Sequence, residues 1–208
     1  MQRKQDNLNA VQDACMPIIE DLPLFPLTSH LFPGGRLPLR IFEPRYVRMV
    51  RESFDREHAF AMCMLDPKGN KDANTHIWPL ATLVKVVDFD ALEDGMLGIT
   101  VEGIQKVEIM TIRTEPDELR LGRVRPMDNW QATPLDDAFS PLRQKLSEIY
   151  QDYPELGQLY QHPQWQDAAW LAQRWLEVVP LEAGQKQRLW TAEPDQTLLL
   201  LNDLIQSQ

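Results

Sequence analysis

Cysteine is scarce in this chain of 208 residues, which contains only Cys15 and Cys63. The two lie far apart and form no Cys-x-x-Cys pair, so neither a disulfide framework nor a thiolate zinc site is indicated. Cys63 stands within an apolar segment, which is typical of a buried thiol that behaves as a small apolar side chain. We therefore expect an inert cysteine at that position.

Long apolar runs are also missing. No stretch approaches the roughly 20 residues that a transmembrane helix needs. The chain stays polar from Met1 through Asp13 and lacks the apolar centre of a secretory signal. These features predict a cytoplasmic protein. Residues 1–17 show no clear period and are predicted to be a flexible leader, and Met16 is a candidate translation start because the structured pattern begins just after it.

Basic residues are outnumbered in this chain. Lysine and arginine total 21 while aspartate and glutamate total 31, which gives a net charge of −10 at pH 7. A chain this acidic is repelled by phosphate backbones. Nucleic acids and anionic membranes are therefore not expected as partners, although an acidic surface by itself identifies no partner.

The motifs of the common enzyme classes are absent as well. The sequence has no Gly-x-x-x-x-Gly-Lys-Ser/Thr string to cradle a phosphate, and no serine stands in Gly-x-Ser-x-Gly. The four histidines show no metal-ligand spacing; they are His30, His58, His76 and His162. The sequence therefore predicts a protein without catalytic residues, bound metal or cofactor.

The N-terminal part of the chain carries strand patterns. Residues 22–27 (Leu-Pro-Leu-Phe-Pro-Leu) are stiff and extended, and their prolines predict an edge strand or a covering segment. Residues 36–42 alternate like a half-buried strand, and residues 43–54 have the period of a helix. Further strands are predicted at residues 59–65, 77–89, 96–101, 104–112 and 119–124, with a turn at Glu93-Asp94-Gly95 and a break at Gly103.

In the C-terminal part, the prolines punctuate helices instead. Thr133 is predicted to cap the first helix. Residues 167–179 place apolar side chains on one stripe, and Pro180 ends that helix. Residues 181–192 predict another helix, and Asp195 is predicted to cap the last. The predicted organisation is a flexible leader (1–17), a β-rich subdomain (18–128) and a helical bundle subdomain (129–208).

Five arginines gather in one short segment, at positions 36, 40, 45, 48 and 51. One interpretation is a site for an acidic peptide or RNA. The other is a solvated strand and helix surface, because Arg48 and Glu52 have the i,i+4 spacing of a helical ion pair. The spacing favours the second interpretation.

Three parts of the chain carry a family resemblance. The first is the opening, Leu22-Pro23-Leu24-Phe25-Pro26-Leu27, Leu31-Phe32-Pro33-Gly34-Gly35 and Leu37-Pro38-Leu39-Arg40-Ile41-Phe42-Glu43-Pro44-Arg45-Tyr46. The second is Thr82-Leu83-Val84-Lys85-Val86-Val87 with Glu93-Asp94-Gly95-Met96-Leu97-Gly98-Ile99-Thr100-Val101-Glu102-Gly103. The third is the helical tail at residues 176–181 and 186–190. Over about residues 22–205 the chain resembles the N-terminal, substrate-binding domain of Lon proteases, and most closely its short stand-alone bacterial members.

The resemblance implies an α+β fold in which a β-rich, PUA-like pseudo-barrel precedes a helical bundle, in agreement with the pattern of elements. It also implies recognition of polypeptides, while the ATPase and the Ser-Lys peptidase of full proteases are not expected in this chain. Two places depart from the family. Ala81-Thr82 stands where Gly-Thr is frequent, and Gly103-Ile104-Gln105-Lys106-Val107 stands where Gly-x-x-Arg-Phe is frequent.

The predicted function is that of a non-catalytic polypeptide-recognition module, not an enzyme. Its expected partners are unfolded or partly folded polypeptides, with a protease as a further candidate. The predicted peptide-binding site comprises Arg40, Phe42, Arg45 and Tyr46, and core packing is the alternative role for Phe42 and Tyr46. An RNA-binding PUA-like protein and a small-molecule-binding protein are the alternative functions.

Overall fold

The computed structural model describes residues 16–53, 60–92 and 96–206 of the chain. The expected leader up to Cys15 lies outside the described residues, and so do Phe54 and the predicted turn at Glu93-Asp94-Gly95. Within the described ranges, no helix is long and apolar enough to pass through a membrane.

Six strands form one mixed sheet that closes on itself. They are β1 (Ile19–Leu27), β2 (Arg36–Ile41), β3 (Phe60–Leu65), β4 (Ile77–Ala91), β5 (Leu97–Thr114) and β6 (Arg120–Pro126). Their order is β2-β5-β4-β3-β1-β6, and β6 also pairs with β5. All strands except β2 therefore form a ring. β2 and β6 pair with the same edge of β5, β2 along its first part and β6 along its second part. The ring is less regular than a clean barrel, as expected for a pseudo-barrel.

The position of β1 corrects the prediction of an edge strand. β1 lies inside the sheet, parallel to β3 and antiparallel to β6. Its side chains Leu22, Leu24 and Phe25 are at most 5% exposed, and burial stabilises such side chains by roughly 1.5–3 kcal/mol each. The backbone donors missing at Pro23 and Pro26 would contribute only about 1 kcal/mol each. Burial therefore outweighs the prolines.

The strand break predicted at Gly103 is wrong, since β5 is continuous over Leu97–Thr114. The Gly103 N–H donates to the Gly35 carbonyl at 2.9 Å, and its own carbonyl accepts from Gly34 at 2.8 Å. A Cβ at position 103 would lie 2.4 Å from the Phe32 carbonyl oxygen. The glycine is needed because the loop before β2 passes so close to the strand.

Six helices complete the described fold: α1 (Pro44–Ser53), α2 (Ser140–Asp152), α3 (Pro154–Gly157), α4 (Ala168–Val178), α5 (Ala183–Thr191) and α6 (Pro194–Gln206). The helix predicted over residues 167–179 is α4, and Asp167 caps it. The cap predicted at Thr133 is wrong, because the Thr133 carbonyl is engaged by the Ala168 N–H at 2.8 Å, and Asp136 caps the 3-10 turn before α2. Asp195 lies within the first turn of α6 and not at its cap.

Apolar side chains from every strand of the ring meet in one cluster, which includes Leu24, Cys63, Leu83, Val107 and Val124. A second cluster packs α1 against the sheet, and a third lies among the helices. Because each ring strand contributes to the first cluster, it joins strands that are distant in sequence and stabilises the closed sheet.

The loop between β1 and β2 enters the helical part and joins it to the ring. Phe32 is fully buried there, and its ring meets Trp190 edge to face at a centroid distance of 4.8 Å. The Gln187 side chain makes two hydrogen bonds with the backbone of Leu80 in β4. Its oxygen accepts from the Leu80 N–H, and its nitrogen donates to the Leu80 carbonyl. These contacts cross the boundary predicted between residues 128 and 129, and that division stays a prediction.

Cys63 is expected to be chemically silent in the native protein. It is 2% exposed, and burial raises the pKa of its thiol, which disfavours the reactive thiolate. In a Cys15→Ser variant, we expect no labelling by a thiol-specific disulfide reagent until the protein unfolds, and then one thiol per chain. Rapid stoichiometric labelling of the folded variant would contradict this expectation.

Candidate functional site

The end of β2 and the first turn of α1 bring the four predicted site residues around one cavity. Arg40 lies near the end of β2 and Phe42 follows it, while Arg45 and Tyr46 belong to the first turn of α1. Pro44 starts this helix, since its fixed φ suits a first helical position. All four residues line a cavity of about 310 Å³. We call it the β2–α1 cavity.

The two aromatic residues of this set have different environments. Tyr46 is 9% exposed and packs edge-on against Phe25, at a centroid distance of 4.5 Å. It therefore belongs to the core and forms part of the cavity floor. Phe42 is 69% exposed. Core packing, the alternative for both residues, describes Tyr46 but not Phe42.

Positive charge dominates the lining of the β2–α1 cavity. Its basic residues are Arg40, Arg45, Lys71 and Arg120, and its carboxylates are Glu43 and Glu118. Arg45 pairs with Glu43 at 2.6 Å and with Glu118 at 3.2 Å. The Arg120 guanidinium instead donates to two neutral oxygens, of the Asn74 side chain at 2.8 Å and of the Lys71 backbone at 3.3 Å.

His76 is a polar residue of this cavity that the sequence patterns did not identify. It lies directly before β4, is 4% exposed, and its Nδ1 has no hydrogen-bond partner among the described residues. Burial, together with the positive charge of Arg120, lowers the pKa of His76. The imidazole is therefore neutral at pH 7 and adds hydrogen-bonding capacity without charge.

A second depression lies on the other side of β2, above Gly98. Gly98 is paired with Arg40 on one neighbouring strand and with Asp90 on the other. A groove of about 450 Å³ lies there, bordered also by Asp88 and by Phe89, which is 64% exposed. Arg40 lines both this Gly98 groove and the β2–α1 cavity.

The outer edge of β2 is poorly suited to pairing with a further strand. The Arg36 N–H points to this edge and donates to the Tyr160 hydroxyl at 3.3 Å. Pro38 shares that orientation, because alternate residues of a strand face the same edge, and it has no N–H. Proline and charged residues are common protections of sheet edges. The surface around β2 therefore offers pockets for side chains, while its edge offers few free backbone donors.

The arginine cluster seen in the sequence divides in the folded protein. Arg36 pairs with Glu102 at 2.7 Å, and Arg48 pairs with Glu115 at 2.6 Å and with Asp117 at 2.8 Å. These two arginines therefore fit the ion-paired surface that the helical spacing favoured. Arg40 and Arg45 line the cavity, where Arg45 is also ion-paired. Among the described residues, no group of three or more His, Cys, Asp or Glu side chains could hold a metal ion.

Comparison with known proteins identifies the family. The model of the ATP-dependent protease La (LON) substrate-binding domain matches residues 21–202. A Lon N-terminal domain protein from Xanthomonas campestris is similar in structure, with a TM-score of 0.69 and 27% identity, over 89% of this chain and 98% of that one. The N-terminal domain of a Mycobacterium avium complex Lon protease has a TM-score of 0.57 and 15% identity, over 88% and 97%.

The match to a whole protease is partial. The Lon protease of Parabacteroides distasonis is 20% identical over 132 residues, which are 62% of this chain but only 16% of that protein.

A ring-like sheet followed by helices is the fold of the Lon N-terminal domain. The chain belongs to the Lon substrate-binding domain family. Both the predicted family and the predicted α+β fold, a PUA-like pseudo-barrel before a helical bundle, are thereby confirmed.

Proposed function

We propose that this chain is a non-catalytic module that binds unfolded or partly folded polypeptide segments in the cytoplasm. The observation that carries the proposal is Phe42, a large apolar side chain that is 69% exposed at the rim of a cavity with an aromatic floor. Exposed apolar surface next to a concave site is typical of protein interaction sites. A protease that takes over the bound segment is the further partner that we propose.

The mode of binding that fits the site is side-chain insertion on both sides of β2. The β2–α1 cavity and the Gly98 groove have volumes of about 310 and 450 Å³, enough for at least one large side chain each. Phe42 and Phe89 supply apolar contact area near them. The proline at position 38 weakens backbone pairing at the edge of β2, so specificity would come from the pockets.

The proposal is tested with a reduced and alkylated protein that cannot refold, labelled with fluorescein, in an anisotropy titration. We expect Phe42→Ala to weaken binding about tenfold, as is common for an exposed aromatic anchor. Tyr153→Ala is the matched control, because Tyr153 is 55% exposed but lies at the end of α2. Equal binding by the wild-type protein and Phe42→Ala would overturn the assignment of this surface. Binding of single-stranded RNA in preference to the unfolded protein would overturn the function.

A further inference from the structure

We propose that the β2–α1 cavity captures the C-terminal residue of a polypeptide, with its carboxylate on the basic rim and an apolar side chain on the floor. The inference rests on the proposed function and makes it more specific. It follows from the charge, the unpaired buried donor and the size of the cavity.

The charge of the cavity is opposite to that of the chain as a whole. The chain carries −10, yet four basic residues and two carboxylates line this one cavity. Among the described residues, Arg120 and Lys71 take part in no ion pair, and Arg120 bonds only neutral oxygens. A concave site with an excess of one charge sign concentrates its field on a ligand of the opposite sign. The cavity is therefore suited to an anion.

Two buried nitrogens of residues that line the cavity have no hydrogen-bond partner among the described residues, His76 Nδ1 and Arg45 Nε. A neutral imidazole has one donor and one acceptor nitrogen, whereas Arg45 Nε can only donate. Buried polar atoms are almost always hydrogen-bonded, so an unpaired donor such as Arg45 Nε beside a cavity indicates a ligand that supplies an acceptor. A carboxylate presents two oxygens and about four acceptor positions, and its hydrogen bonds to cationic donors are strong. One carboxylate can accept from Arg45 Nε or pair with the guanidinium of Arg120.

The apolar floor and the size of the cavity indicate a chain end and not an internal acidic residue. The floor includes Phe25, Leu27, Tyr46 and Leu65, and the lining comes from β1, β2, α1, β3, the loop before β4 and the start of β6. A volume of about 310 Å³ holds roughly one large residue. A terminal residue brings its carboxylate and its side chain together, whereas an internal aspartate or glutamate brings a carboxylate without the apolar group. Capture of a C-terminal carboxylate is a known mode of peptide recognition.

The test uses three fluorescein-labelled decapeptides of one unstructured sequence in anisotropy titrations with the full chain. The first ends in Leu-Phe with a free carboxylate, the second ends in Leu-Phe amide, and the third ends in Leu-Phe amide with an internal glutamate that restores the charge. We expect the free acid to bind at least tenfold more tightly than either amide, which corresponds to the loss of one charge-assisted interaction.

Variants of the cavity locate the effect. Arg120→Gln and Lys71→Gln are each expected to reduce the ratio of acid to amide affinity, and the exposed Lys71 keeps the test valid if Arg120→Gln unfolds. Arg123→Gln is the matched control, since Arg123 lies on the same strand but pairs with Glu20 at 2.8 Å. In ring ¹⁵N NMR spectra, His76 should shift with the acid peptide and not with the amide.

The outcomes separate this inference from the proposed function. Equal binding of acid and amide, with Phe42→Ala still weakening both, would leave polypeptide binding intact and overturn end recognition. Binding of the internal-glutamate peptide as tightly as the free acid would overturn it in favour of an acidic side chain. Failure of all three peptides and of an unfolded protein to bind would remove the proposed function as well.

Discussion

Replacing Glu177 by alanine is expected to lower the free energy of unfolding by about 3–5 kcal/mol, the usual result of removing one partner from a buried ion pair. Arg174 is 0% exposed, and its Nη2 lies 2.8 Å from Glu177 Oε1. The same carboxylate oxygen accepts the Phe32 N–H at 3.0 Å. Without it, the Phe32 N–H loses its acceptor in the interface that joins the ring to the helices. The buried guanidinium keeps only the Phe32 and Pro33 carbonyls, at 3.3 and 3.1 Å from Nη2, and no carboxylate balances its charge.

Urea denaturation of Glu177→Ala and of Glu20→Ala provides the comparison. Glu20 pairs with Arg123 at 2.8 Å with both side chains exposed, and such pairs contribute little. The double variant Arg174→Met, Glu177→Gln should lose less stability than the sum of its single variants, since it leaves no unpaired buried charge. If Glu177→Ala is no more destabilising than Glu20→Ala, the ion pair does not stabilise the interface.

Aromatic rings explain how Arg174 tolerates this burial. Its Nε and Nη1 have no hydrogen-bond partner among the described residues. Its guanidinium carbon instead lies 5.6 Å from the centroid of Tyr160 and 5.8 Å from that of Trp170. Cation–π contacts replace part of the lost hydration, but they do not replace a carboxylate. The pair with Glu177 therefore remains the main electrostatic compensation.

Local elements of the fold could be predicted from the sequence because their signals are local. The apolar stripe over residues 167–179 and the stop at Pro180 predicted a helix, and α4 spans Ala168–Val178. Alternation at residues 36–42 gave β2 within one residue. In both cases the chemistry that starts, pairs or ends the element lies within a few residues of it.

Ring closure could not be predicted from such patterns. β1 pairs with β3 and β6, which lie about 40 and 100 residues further along the chain. The prolines of β1 are local and visible, while the buried contacts that override them are distant. Gly103 shows the same limit, since its close neighbour is the Phe32 carbonyl. A glycine in a strand pattern does not reveal whether the strand breaks or another backbone passes beside it.

Some residues of the candidate site could be predicted from the local sequence, and others could not. Arg40, Phe42, Arg45 and Tyr46 are close in sequence, within the segment that most resembles the family, and the site predicted there stays a prediction. His76 and Arg120 join them only because β4 and β6 are parts of the ring. No spacing or motif marks these two residues, since convergence on the cavity depends on sheet topology. They are the residues on which the further inference depends.

Lys186 gives the other large expected effect, a gain in stability. It is 4% exposed, and burial lowers its pKa from 10.5 to about 8, although the charge of Glu177 acts in the opposite direction. A shift of this size corresponds to a cost on the order of 3 kcal/mol for the buried charge at neutral pH. Lys186→Met removes the charge and keeps the apolar stem, so we expect it to stabilise the protein by up to about that amount at pH 7.

The pH dependence identifies the cause of this gain. Below pH 8 the folded wild-type protein carries the full cost, and between pH 8 and 10.5 only the unfolded state keeps the proton. Wild-type stability therefore rises with pH in this window, and the advantage of Lys186→Met should fall by up to about 1.4 kcal/mol per pH unit. Lys106, whose pKa is also lowered by burial, is present in both proteins and cancels in the difference.

Two further measurements make the Lys186 prediction specific. The pKa of His30 is lowered to about 4, first by burial and then by the charge of Lys186, so it should rise in Lys186→Met. Urea titrations cover pH 7 to 9.5, and the tyrosines, which are the same in both proteins, cancel in the difference between wild type and Lys186→Met. Lys145→Met, on the exposed side of α2, should follow the wild-type curve. An advantage of Lys186→Met that does not change with pH would mean that packing of the methionine, and not removal of a buried charge, stabilises the interface.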